Sequence, residues 1–208
     1  MQIGKLLLFF VTVFPLVLTP GPDIIYVTTR GIAQGRWAAL VSTLGVCAGY
    51  AMHTVLAVLG LTALIYASQT LFNVVKYAGA VYLLYLGIML IRSKAPLSLQ
   101  GDRRRLSGAR MFLTGMSTSV FNPKGILLFF AYFPQFVTPA AGDVTGQLFV
   151  IGTLFTLMCG VVYGTYGMLS GAIGERLSNE PRIATVLKWL TGSVLIGLGL
   201  RMTLPGRK

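Results

Sequence analysis

Two short runs carry the side chains with the most chemistry in this sequence. Pro20-Gly21-Pro22-Asp23 places a carboxylate directly after two prolines and a glycine, inside an otherwise apolar stretch. Asn122-Pro123-Lys124 places an ammonium directly after a proline, inside a second apolar stretch. Proline supplies no backbone N–H and clashes with the preceding helical turn, so each run breaks or sharply kinks a helix and frees carbonyl oxygens. In lipid, freed carbonyls survive only where protein or a water-filled cavity covers them. A cation or a helix N-terminus can hold a carboxylate, and a carboxylate with freed carbonyls can hold an ammonium. Lys124 and the half-helix after Pro123 are candidates for the first task. Asp23 and the carbonyls freed by Pro20 and Pro22 are candidates for the second. Together they suit a small zwitterion. The competing readings are a helix cap for Asp23 and a structural ion pair between Asp23 and Lys124. His53, the one histidine, titrates near physiological pH and is, with Asp23, a candidate proton carrier; its competing reading is a satisfied packing residue.

The elements that must position these groups follow from composition. Of 208 residues, 55% are hydrophobic and 11% charged, against about 25% charged in an ordinary soluble domain. That shortage points to lipid as the solvent. A membrane helix needs about 20 apolar residues, so six spans and their loops fill one domain covering residues 1–208. The apolar segments are 6–28, 38–66, 73–91, 111–136, 147–172 and 184–204. Between them lie a polar turn at 30–36, a basic linker at 92–110, a loop at 137–146 and a polar stretch at 175–182. The runs are continuous rather than alternating, which excludes an outer-membrane barrel. The N-terminal run has the look of a signal peptide, but no small-x-small cleavage site follows it, so an uncleaved first span is expected. The expected fold is an all-α integral membrane protein of six transmembrane helices, with helices one and four broken.

The net charge of +12 comes from basic residues between apolar segments, not from a polar domain, which argues against a nucleic-acid partner. Six spans place Arg36, the 92–110 linker with Arg103-Arg104-Arg105, and Arg182 on one side. Fewer basic residues, among them Lys5, Lys76 and Arg207, fall on the other. The positive-inside rule puts the linker in the cytoplasm and both termini outside.

An internal repeat fits this layout. The run from Lys76 to Gly87 aligns without gaps on the run from Lys188 to Gly199, and Gly21-Pro22-Asp23 aligns on Asn122-Pro123-Lys124. Halves of three spans each, 1–91 and 111–208, are then inverted relative to one another, a transporter architecture with its site where the halves meet.

Other features read as packing. Cys47 and Cys159 lie in apolar runs and behave as small hydrophobes. Gly45 with Gly49, Gly160 with Gly164, and Gly167 with Gly171 are small-xxx-small pairs that suit close helix packing, within one chain or in a homo-oligomer. Trp37 and Trp189 suit interface anchors. There is no phosphate loop, no metal-ligand cluster and no Ser–His–Asp set, so neither enzyme, cofactor nor metal is expected.

The sequence resembles the LysE/RhtB family of amino-acid exporters along nearly its whole length. The resemblance rests on Thr19-Pro20-Gly21-Pro22-Asp23, Arg30 with Gln34-Gly35-Arg36, the run from Lys76 to Leu83, Phe121-Asn122-Pro123-Lys124, and Gly197-Leu198-Gly199-Leu200-Arg201. It implies a bacterial inner-membrane exporter that moves amino acids or related metabolites out of the cytoplasm, driven by the proton-motive force without ATP. Family members carry Asp or Asn after Pro-Gly-Pro, so the family does not require an acid there. Their substrates include lysine, threonine, homoserine, leucine and cysteine-pathway compounds. A cationic substrate would want more intramembrane acid than Asp23 alone, which favours neutral amino acids. The alternatives are a non-transporting membrane scaffold and a passive channel.

Overall fold

The computed structural model describes residues 3–19, 21–92 and 105–179, and beyond these residues 185–186, 189, 192–193, 195–197 and 199–200. The described residues are helical, with no strand. The helices are α1 (Ile3–Leu18), α2 (Pro22–Gln34), α3 (Arg36–Ala67), α4 (Gln69–Arg92), α5 (Gly108–Val120), α6 (Pro123–Leu127) and α7 (Val144–Asn179). A π-helical turn (Leu128–Tyr132) and a 3-10 turn (Phe133–Phe136) continue α6.

Two helical stretches are long and apolar enough to cross a membrane, Arg36–Ala63 in α3 and Val144–Ser170 in α7. The α1–α2 pair would make a third span, bent by 52° at its break. Large apolar side chains point outward along the long helices: Leu59 is 67% exposed and Val161 is 70% exposed. A soluble protein would bury such a band; hydrocarbon tolerates it. Most of the expected sixth span, with Lys188 and Arg201, lies outside the described residues, as does most of the basic linker.

Both expected breaks are present. α1 ends at Leu18 and α2 begins at Pro22; α5 ends at Val120 and α6 begins at Pro123. In each case a proline occupies the first helical position, where its missing N–H costs nothing. The expected polar turn at 30–36 is corrected. α2 runs on to Gln34 and the turn shrinks to Gly35, whose φ of 87° is left-handed and favours glycine. Arg30 belongs to that helix and is buried. Its guanidinium lies over the Tyr26 ring, 5.9 Å from the centroid, and donates to Gln34 at 3.4 Å. Glu175 likewise falls inside α7 rather than in a loop.

α3 is the central helix. It packs most extensively against α5 and α7, while α2 packs against α7 and α3. Glycines make these approaches possible. A Cβ on Gly45 would lie 2.1 Å from the Phe112 carbonyl oxygen, and one on Gly49 would lie 1.9 Å from Ser119 Oγ. On the α7 side, a Cβ on Gly167 would lie 2.6 Å from the Ala39 Cβ. Gly45 and Gly49 of α3 and Gly167 of α7 thus serve packing within the chain. Beside them a buried aromatic group (Phe9, Tyr50, Phe129, Phe133, Phe155) fills the centre. The Tyr50 ring meets Phe155 edge-on, with centroids 4.9 Å apart.

Candidate functional site

The two proline breaks, about a hundred residues apart in sequence, meet in space. Asp23, in the first turn of α2, is 1% exposed. Its Oδ2 accepts the Tyr50 hydroxyl of α3 at 2.5 Å and the Asn122 side-chain amide at 2.6 Å. Asn122 is buried as well. Its Oδ1 accepts the backbone N–H of Lys124 at 3.0 Å, so the same side chain caps α6 and holds Asp23. Asp23 itself does not cap α2: the N-cap position is Gly21 and there is no side-chain cap. Asp23 Oδ1 has no hydrogen-bond partner among the described residues.

The carbonyls that the prolines strip of their helical partners are each taken by a side chain from elsewhere. In an α-helix the amide of residue i bonds the carbonyl of residue i−4. Pro20 therefore leaves the Leu16 carbonyl without a donor, and Lys124 Nζ donates to it at 3.0 Å, with the Thr19 carbonyl 3.4 Å away. Pro22 leaves the Leu18 carbonyl, and the Tyr166 hydroxyl donates to it at 3.4 Å. Pro123 leaves the Ser119 carbonyl, and His53 Nε2 lies 3.3 Å from it, beside the Asn122 amide at 3.1 Å. A buried carbonyl left bare costs roughly 1–3 kcal/mol, so these donors are what let the breaks persist in an apolar setting.

The structure thus brings together Asp23, Asn122, Gly21 and Lys124. Pro22 and Pro123 are exposed at the helix starts, and Pro20 lies outside the described residues. His53 is buried one turn from Tyr50, stacked on Phe129 with centroids 5.4 Å apart, and its Nδ1 has no partner among the described residues. The direct Asp23–Lys124 ion pair is not formed. Asp23 is engaged by Tyr50 and Asn122, and the Lys124 ammonium by the end of α1. Sequence reasoning missed Tyr50 and Tyr166. A tyrosine three residues before the single histidine shares its helix face, and that was the available signal for Tyr50. Nothing local marks Tyr166.

Among the described residues no group of three or more His, Cys, Asp or Glu side chains is placed to hold a metal ion. The arrangement instead offers hydrogen-bond acceptors for an ammonium and donors for a carboxylate, at two helix breaks that face each other.

Long apolar helices and facing breaks define a helical membrane protein, and sequence comparison makes the class specific. The chain matches the LysE type translocator family over residues 14–206. It belongs to that family, one of transporters rather than enzymes. It is 32% identical over 200 residues to an "Uncharacterized membrane protein" of Vibrio cholerae, covering 96% of this chain and 97% of the relative. It is 32% identical over 189 residues to a leucine efflux protein of Klebsiella pneumoniae, covering 90% and 89%. It is 30% identical over 199 residues to a leucine efflux protein of Enterobacter sp. (strain 638), covering 93% and 92%. No solved structure matches the chain.

Proposed function

We propose that this protein is a secondary exporter of amino acids, most suited to neutral ones, that works from the bacterial inner membrane under the proton-motive force. The observation that carries the reading is the buried Asp23–Asn122 contact at 2.6 Å, with Lys124 across the same junction on freed carbonyls. Buried charge at helix breaks is costly and marks substrate or ion paths. Membership of a translocator family and kinship to leucine efflux proteins support the same reading. Asp23 with the freed carbonyls receives the substrate ammonium, and Lys124 with the N-terminus of α6 receives the carboxylate. His53 and Asp23 are the titratable groups beside this junction and carry the coupling proton.

The architecture proposed with it is six spans in two inverted halves, 1–91 and 111–208, joined by the cytoplasmic linker 92–110, with both termini periplasmic. Reciprocal contacts support the inversion. If Gly21-Pro22-Asp23 corresponds to Asn122-Pro123-Lys124, a two-fold axis between the halves requires the contact of Asp23 with Asn122 to have a mate between Gly21 and Lys124. A Cβ on Gly21 would lie 3.5 Å from Lys124 Nζ. The longer alignment behaves alike. It equates Ala80 with Gly192 and Gly87 with Gly199. A Cβ on Gly87 would lie 2.8 Å from the Gly192 carbonyl oxygen, and one on Gly199 would lie 2.9 Å from the Ala80 carbonyl oxygen.

Efflux of a radiolabelled amino-acid panel from cells overproducing the chain, with and without a protonophore, tests the function. Protonophore-sensitive efflux of a few neutral amino acids is the expected result. Efflux that ignores the protonophore would make the protein a channel. Efflux of none, from protein recovered folded in the membrane, would leave the scaffold reading.

A further inference from the structure

The carbonyl group at the end of α1 is a ready-made site for a primary ammonium, and it is already occupied by one from the protein itself. The Leu16 carbonyl has lost its helical donor to Pro20, and the C-terminal end of a 16-residue helix carries partial negative charge. Lys124 Nζ sits 3.0 Å from that oxygen and 3.4 Å from the Thr19 carbonyl. Gly21 lines the approach: a Cβ there would lie 3.5 Å from Nζ, in ordinary contact. Meanwhile Asp23 Oδ1 has no partner among the described residues, although the residue is almost wholly buried. Among the described residues, the Lys124 ammonium therefore sits on neutral carbonyls while a carboxylate oxygen of the same junction has no partner.

From this we infer that the Leu16 and Thr19 carbonyls are the substrate's ammonium subsite and that Lys124 is its tethered occupant in the substrate-free state. The substrate ammonium, a group of the same chemistry as Nζ, displaces it. The freed Lys124 then has a new partner in the substrate carboxylate, so the exchange replaces each contact it breaks. A primary ammonium has N–H donors for both carbonyls, whereas a fully methylated one has none, so the first fits and the second does not. This deepens the export reading, on which its physiological meaning rests, by fixing where the ammonium end binds and what holds the place when it is absent.

The test fills the site with a small probe. Lys124→Ala removes three methylenes and the ammonium, which n-propylammonium matches atom for atom. The purified variant in detergent is expected to melt about 5 °C below wild type, for the loss of a charge-assisted hydrogen bond in a chain of this size. Saturating n-propylammonium should restore most of that loss. Tetramethylammonium, sodium and propionate at equal concentration should not, and wild type, its subsite filled, should respond to none. Lys124→Met, which fills the space of the methylenes but lacks the ammonium, provides a second background should the alanine variant fail to fold. It is expected to show the lowered midpoint without propylammonium rescue, because its side chain blocks the space. Equal shifts with all cations, or a wild-type response matching the variant's, would overturn the inference. The readout needs no transport. Rescue in a protein that exports no amino acid would sink the export reading and keep the ammonium subsite; export without rescue would do the reverse.

Discussion

The Asn122 side-chain amide donates to Asp23 Oδ2 at 2.6 Å, across 99 residues of sequence, while its carbonyl oxygen accepts the Lys124 amide. One side chain therefore ties the break between α1 and α2 to the break between α5 and α6.

Asn122→Ala removes both bonds. Loss of an N-cap costs about 1 kcal/mol and loss of a hydrogen bond to a charged group about 1.5–3 kcal/mol. A clear fall in the thermal midpoint is expected, with efflux near background. Asn122→Asp retains a cap acceptor but sets a second carboxylate against Asp23. Its midpoint should sit above that of the alanine variant at low pH and drop toward it as pH rises, because only then do both acids ionise. A flat pH response would show that the two groups do not meet.

Tyr50→Phe keeps the ring packed against Phe155 and Phe129 and deletes only the hydroxyl that donates to Asp23. The change should lower efflux about tenfold while costing about 1.5–3 kcal/mol. Tyr50→Leu should cost more stability without a larger functional defect. If Tyr50→Phe transports at the wild-type rate, the hydroxyl does not position Asp23 for function.

The glycine contacts of α3 make a packing prediction. Gly45→Ala drives a methyl into the Phe112 backbone, which has no flexible end to move, and Gly49→Ala drives one onto Ser119 Oγ. Each should destabilise by about 1–3 kcal/mol, Gly45→Ala the more. Gly60→Ala meets nothing within 4 Å and should be neutral or stabilising, since alanine is about 1 kcal/mol the better helix former. Comparing yield and thermal midpoint of the three purified variants checks the order.

His53 serves two roles in this account, and one substitution separates them. His53→Gln retains a donor for the freed Ser119 carbonyl, which lies 3.3 Å from Nε2, but carries no proton in the physiological range. Downhill exchange of substrate should continue, while accumulation driven by an imposed pH gradient should fall at least about tenfold. Undiminished gradient-driven transport would leave His53 as the helix-break donor alone.

The breaks themselves were legible in the sequence, because proline acts locally: Pro22 and Pro123 begin helices where the chain says they must. The helical class was legible for the same kind of reason, from long runs without charge. The partners across the breaks were not. Opposite charges on Asp23 and Lys124 suggested an ion pair, but each proline also strips a carbonyl of its donor, and Lys124 answers the Leu16 carbonyl instead. Finding that required knowing which helices touch. Arg30 misled for a related reason. A charged side chain next to a glycine looks like a turn until a neighbouring ring and glutamine are seen to cover it, as Tyr26 and Gln34 do. Tyr50 was missed because its place on the helix face of His53 says nothing of burial beside Asp23, which is a property of the packed bundle.

The most direct measurement of the central claim is exchange of labelled leucine across proteoliposomes containing the purified protein, compared with Asn122→Ala and Lys124→Ala proteoliposomes of equal protein content. The account predicts saturable exchange by wild type, competed by unlabelled neutral amino acids, and a loss of at least about tenfold in both variants. Saturable exchange unchanged by either substitution would contradict it, because the translocation path would then lie away from the junction of the two breaks.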